Sequence, residues 1–119
     1  MRGLVVLLCF TLAACSSSTE ESSIIGPYIP PSMPTMIGVH EGIKKAAAEE
    51  KVTGPIEMSD VRQTDHGPGR FVLCIRGEQP ASGPRRTYAV FFDNNDYKGS
   101  RMSVMIDDCE KQNYHALPY

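Results

Sequence analysis

Sulfur offers this chain more chemistry than any other side-chain atom. Its four cysteines stand at positions 9, 15, 74 and 109. Cys9 lies inside the apolar run from Leu4 to Phe10, and Cys15 directly follows Leu12, Ala13 and Ala14. Cys74 and Cys109 are isolated downstream. Neither has a second cysteine or a histidine at a zinc-binding interval, and His40, His66 and His115 are scattered. A metal pair is therefore the weaker use for these thiols.

The other chemistry-bearing stretches fall short of a catalytic set. His40-Glu41-Gly42-Ile43-Lys44 begins like a zinc-protease helix, but Lys44 stands where the second histidine is required. Asp93 to Asp96 has the acidity of a calcium loop without its pattern. Tyr97 takes the fifth position, Gly99 comes one residue late, and Val104 replaces the closing carboxylate. A polar hairpin turn accounts for that segment. Asp107 and Asp108 are neighbours in an expected strand, so they point to opposite faces and cannot act together. Solvation or bonding to turn amides suits them better. The serines cluster in a segment with nothing rigid to activate them, and Gly67 and Gly69 precede no helix that would complete a phosphate cradle. Arg85-Arg86, with Arg70 and Arg76, offers an anionic partner a basic patch, though solvated strand ends explain them as well. No catalytic residue, metal ligand or small-molecule cofactor is expected.

The first fifteen residues have an export layout: cationic Arg2, the apolar run, then small residues before Cys15. The run is far short of the roughly 20 residues that span a bilayer. Leu12-Ala13-Ala14-Cys15 resembles the lipobox of bacterial lipoproteins position by position. The resemblance covers residues 1–16 and is silent about the fold. It implies cleavage before Cys15, a diacylglycerol thioether on Cys15, and acylation of the new N-terminus. More than one acyl chain gives stable anchoring without a transmembrane helix. Ser16 after the cysteine, in lipoproteins of the enterobacterial type, favours the inner leaflet of the outer membrane. Under this resemblance residues 1–14 are a signal peptide.

After cleavage eleven basic residues face fourteen acidic ones, a net charge near −3. That mild acidity argues against a nucleic-acid partner, which calls for a basic face. Cys9 leaves with the signal and Cys15 is acylated, so export leaves Cys74 and Cys109 to form a disulfide. It would close a loop of about 36 residues and contribute roughly 3–4 kcal/mol in the chain-entropy model. A domain of about 80 residues has a marginal core, so that bridge matters.

The elements must present what chemistry there is. Residues 15–36 read as the acylated cysteine followed by a Ser- and Pro-rich spacer, with Pro27, Pro30, Pro31 and Pro34. Ile24, Ile25, Tyr28 and Ile29 are unusually apolar for a spacer. They either brush the domain or lipid headgroups, or add as a short strand to a partner's sheet edge. Residues 37–119 form the folded domain. Ile37 to Lys51 has helical spacing, with Val39, Ile43, Ala46 and Ala47 on one narrow face and Gly54-Pro55 as its stop. Four strands follow: a weak one at Ile56–Arg62, the clearest at Phe71–Arg76, another at Arg86–Asp93, and a fourth at Ser100–Asp107. Phe71, Leu73 and Ile75 share one face, with Val72 and Cys74 on the other. Short loops favour an antiparallel meander, giving an α+β sandwich of order α-β-β-β-β with the helix on one face. Alternate strands lie about 9–10 Å apart, too far for a direct bridge. Asp107-Asp108-Cys109 must therefore curl back to reach Cys74.

The functional expectation is a lipid-anchored, periplasm-facing binding or assembly module without catalysis. It would meet an envelope protein or cell-wall component through Ile24, Ile25, Tyr28 and Ile29, or through Arg85 and Arg86. The alternative is an inhibitor of a hydrolase such as lysozyme, suggested by Ser82-Gly83-Pro84 with Tyr88.

Overall fold

The computed structural model describes residues 28–118. The expected signal peptide, Cys15, Ile24 and Ile25 lie outside them. The described chain forms one helix and an antiparallel sheet, an α+β arrangement. Helix α1 spans Met36–Glu50. Thr35 caps it by accepting a hydrogen bond from the Gly38 amide, a common use of a hydroxyl at a helix start. Lys51 ends it by turning left-handed, at φ 56°. Val52 N–H then donates to the Ala47 carbonyl at 2.9 Å. The helix thus stops before Gly54-Pro55.

The strands are β1 Glu57–Met58, β2 Arg62–Gln63, β3 Phe71–Arg76, β4 Thr87–Asp93, β5 Asp96–Met102 and β6 His115–Ala116. The sheet runs β5-β4-β3-β1-β6, with β2 also paired to β3. The expected α-β-β-β-β count of four strands is therefore corrected to six. The expected strand Ile56–Arg62 is split in two. Met58 faces Ile75 and Arg62 faces Val72, so one extra residue lies between the two pairings. Such a bulge breaks the ladder. Ser59 repairs it: its amide donates to the Cys74 carbonyl, and its hydroxyl accepts from the Cys74 amide, both at 2.8 Å.

The fourth strand lies earlier than Ser100–Asp107. Asp93 pairs with Asp96 across a two-residue turn, and Asn94 takes the left-handed conformation there. Alternation of Met102, Val104 and Ile106 had suggested a strand, yet all three are exposed. The chain instead leaves the sheet after Met102 and passes through 3-10 turns at Met105–Asp107 and Cys109–Lys111. It ends in β6, where Leu117 N–H donates to the Ile56 carbonyl at 3.1 Å. This tail, without periodicity in the sequence, is a strap from the β5 edge to the opposite edge.

Two cores result, one on each face of the sheet. Val39, Ile43 and Ala46 from α1 pack with Phe71, Leu73, Ile75, Tyr88, Val90 and Phe92. On the other face, Val72, Cys74, Ala89 and Phe91 pack with Cys109 and the half-buried Tyr114 of the strap. The Cys74–Cys109 disulfide closes this second layer, with Cα atoms 5.5 Å apart. Cys74 pairs with Ala89 across the strands, and that small neighbour leaves room for Cys109 to come down on the sheet.

The chain before the helix is also pinned. Ser32 N–H and Oγ bond Asn94 Oδ1 at 2.8 and 3.0 Å. Thr35 N–H and Oγ1 bond Asn95 Oδ1 at 2.7 and 3.0 Å. Pro34 is buried. Residues 32–35, assigned above to the spacer, therefore belong to the folded unit.

Candidate functional site

The polar side chains best placed for chemistry are occupied in bracing. Asp107 is buried beneath the sheet, with its side chain only 2% exposed. Arg101 donates to it from Nη2 at 2.7 Å and from Nε at 3.2 Å, and the Val104 amide donates at 2.9 Å. Burial pushes the Asp107 carboxyl up, but the Arg101 hydrogen bonds and the Val104 amide outweigh it and hold the carboxyl below its ordinary range. The Arg101 guanidinium also lies 5.0 Å from the Phe91 ring centre. Arg62 donates to the Asp107 carbonyl at 2.7 Å, while its buried Nε finds no partner among the described residues. Asp107 is thus not solvated and not beside Asp108 in a strand, but it does bond a turn amide, the other expectation for it. It is the clamp that turns the chain under the sheet, and periodicity gave no signal of it.

The expected basic patch divides. Glu57 takes Arg76 at 2.6 Å and Arg85 at 3.6 Å. The Arg76 hydrogen bond is the main reason its carboxyl sits below the ordinary range. Arg76 also stacks 4.2 Å from the Tyr114 ring centre. Arg85 turns inward, donating to the Gly77 carbonyl and closing the β3–β4 loop. Arg85, expected to face a partner, is engaged here as a loop brace. Arg86 remains exposed. It lines an open cleft of about 390 Å³ with Lys51, Glu78, Ser82, Pro84 and Tyr88. The cleft lies at the C-terminal end of α1.

Tyr97 and Ser100 hold the same end of the helix. Tyr97 Oη donates to Glu49 at 2.7 Å, and Ser100 Oγ donates to Glu50 at 3.1 Å. Two carboxylates at a helix C-terminus oppose the helix dipole, and these hydroxyls offset that. Burial, reinforced by the bond to Glu49, pushes the Tyr97 phenol up to about 12. Both cysteines of the domain are spent in the disulfide, and His66 lies exposed against Asp65 at 2.9 Å. Among the described residues no three histidine, cysteine or acidic side chains come together as metal ligands. No family model, curated protein or solved structure matches the chain.

Two apolar stretches remain uncovered. The first holds Tyr28, Ile29, Met33, Met36 and Ile37, and the second holds Met102, Val104, Met105 and Ile106. Exposure reaches 83% at Ile29 and 94% at Met105. Tyr28 and Ile29, singled out in the sequence, thus stand in solvent and do not pack on the domain. Ile24 and Ile25 lie outside the described residues. The structure adds Met33, Met36 and Ile37 to the same stretch. Helical spacing had already left Ile37 off the Val39–Ile43–Ala46 face, and the close approach at Gly38 and Gly42 fixes that choice.

Proposed function

We propose that the protein is a lipid-anchored lipoprotein of the cell envelope, acylated at Cys15, whose disulfide-bonded domain is a non-catalytic binding or assembly module. The observation that carries this reading is the placement of the polar groups. Arg62, Arg76, Arg85, Arg101, Glu57 and Asp107 all brace the fold, and apolar side chains are what the domain leaves uncovered. Uncovered apolar stretches are features of contact surfaces. The Cys74–Cys109 bridge suits an oxidising compartment, in keeping with export. No described helix is long and apolar enough to cross a membrane, so attachment in this reading falls to the acyl chains. The mature protein would face the periplasm, with the outer membrane favoured by Ser16. Its partner would be an envelope protein or cell-wall component, not nucleic acid.

The test is a Cys15→Ser variant expressed in the native host. It is expected to escape acylation and cleavage, reported by intact mass, and to leave the membrane fraction. A variant matured and retained like the parent would overturn the reading. In-cell crosslinking from Arg86 and Met105 would then identify the partner. A second reading, inhibition of a hydrolase such as lysozyme, draws on one observation: Ser82, Gly83 and Pro84 form an exposed rim of the cleft. Against it, Tyr88 is only 9% exposed where it lines the cleft, so it offers little to a partner. Absence of muramidase inhibition at large molar excess removes it.

A further inference from the structure

The two uncovered apolar stretches lie at opposite ends of the domain. Thr35, at the start of α1, bonds Asn95 at the start of the β4–β5 hairpin's returning arm. Glu50, at the end of α1, bonds Ser100 further along β5. The helix therefore runs alongside β5 in the same direction. Tyr28 to Ile37 lead into the helix start, whereas Met102 stands two residues past Ser100 on β5, and the chain to Ile106 turns from there towards the other face of the sheet. The side from which the chain arrives is thus one apolar end, and the cleft at Lys51 and Arg86 belongs to the other.

We infer that the end carrying Tyr28, Ile29, Met33, Met36 and Ile37 rests on the bilayer surface, at the boundary of headgroups and acyl chains. This inference rests on the acylation of Cys15. Only twelve residues separate Cys15 from Tyr28 in the sequence. The chain enters the domain at this end, so a connection that short keeps this end nearest the anchor. Ser32 and Thr35 fasten the chain to the hairpin tip, so Met33, Met36 and Ile37 are carried by the folded domain, with Tyr28 and Ile29 leading into them. Tyrosine and long aliphatic side chains are the residue types that settle at that depth. A contact too weak to hold a free domain becomes effective once a tether fixes the local concentration. Glu41 follows one helical turn after Ile37, and Asp93 and Asp96 flank the hairpin tip. The contact is therefore apolar and does not depend on anionic lipid. The domain then stands with the Arg86 cleft and Met102–Ile106 directed away from the membrane, where a partner would meet them.

The chain contains no tryptophan, so a single introduced indole reports its own surroundings. Ile37→Trp and Met102→Trp, both at exposed positions, are made in the acylated full chain and reconstituted in zwitterionic vesicles carrying brominated acyl chains. Circular dichroism checks that each still folds. The Ile37→Trp indole is expected to shift to the blue and to be quenched several-fold more than the Met102→Trp indole, with little change in high salt. Equal quenching of the two, or no quenching at position 37 in protein that floats with the vesicles, overturns the inference and leaves the anchor standing. A blue shift at position 37 that grows with protein concentration in the absence of vesicles also overturns it, because the stretch would then join two copies of the chain. Flotation and intact mass report acylation separately. Where acylation is absent, a diacyl maleimide coupled to Cys15 in a Cys9→Ser chain supplies the tether, and the same comparison decides the orientation.

Discussion

At the scale of the residue, Asp107 shows how a carboxylate that looks available is committed. It receives three charge-assisted or amide hydrogen bonds in a place where its side chain is almost fully buried. Hydrogen bonds to charged groups contribute about 1.5–3 kcal/mol each at best, and half-exposed Arg101 lies at the lower end because solvent screens it. Asp107→Asn is expected to cost about 2 kcal/mol, read as a lower urea midpoint at neutral pH. The pH dependence follows from the direction of the shift. The folded Asp107 carboxyl titrates below its unfolded value of 3.8. Its contribution is therefore complete above that value and is lost as pH falls through the lower folded one. The parent protein should lose stability below about pH 4, and Asp107→Asn should flatten that acid limb. An unchanged slope in the variant would mean that other carboxylates, Glu57 among them, carry it. A bond to turn amides was legible for this residue, but its pairing with Arg101 was not, since Arg101 lies six positions away and meets it only because the chain doubles back.

Among the elements, the fit of helix to sheet is set by what α1 lacks. A Cβ built on Gly42 would collide with the ring of Phe92, and one on Gly38 would fall 2.5 Å from Asn95 Oδ1. Phe92 is fully buried and cannot swing aside. Alanine favours helix over glycine by about 1 kcal/mol, yet Gly42→Ala is expected to lower stability by about 1–3 kcal/mol through overpacking. Ala48→Gly, on the exposed face, should cost about 1 kcal/mol by propensity alone. Thermal melts of the two variants separate packing from propensity, and a stabilised Gly42→Ala would refute the close approach. Asn95→Ala tests the other fastening. Losing the Thr35 bonds should expose the backbone of residues 32–35 to faster hydrogen exchange while the sheet stays protected. The helix and the two central strands were legible because Val39, Ile43, Leu73 and Val90 recur at the periods of their elements. The bulge at Ser59, the two-residue turn at Asn94 and the strap were not. Each depends on a contact between distant residues, and Met102, Val104 and Ile106 even mimic a strand.

For the molecule as a whole, the strap decides whether the second face of the sheet is covered. Val72, Cys74, Ala89 and Phe91 are buried largely because the chain after Met102 crosses beneath them. Beside the Arg62 bond to the Asp107 carbonyl and the β6–β1 pairing, two fastenings hold its middle: the disulfide from Cys109 to the central strand, and the Asp107–Arg101 pair. Replacing both Cys74 and Cys109 by alanine should cost about 3–4 kcal/mol from loop closure. Because both fastenings serve one segment, their losses should not add. Once the disulfide is gone and the strap has come away, Asp107 returns to water beside a solvated Arg101. Asp107→Asn then has little left to remove. The combined variant is expected to fall short of the summed losses by at least about 1 kcal/mol in a double-mutant cycle read by urea unfolding. Additivity within about 0.5 kcal/mol would mean that the two fastenings act on separate regions. Non-additivity has a consequence in the cell. A chain retained in a reducing compartment would carry a detachable strap over an aromatic face, whereas an exported chain would have it locked. Limited proteolysis within residues 103–118, with and without reductant, should therefore track the same coupling. Cleavage should rise on reduction, and rise no further when Asp107→Asn is added.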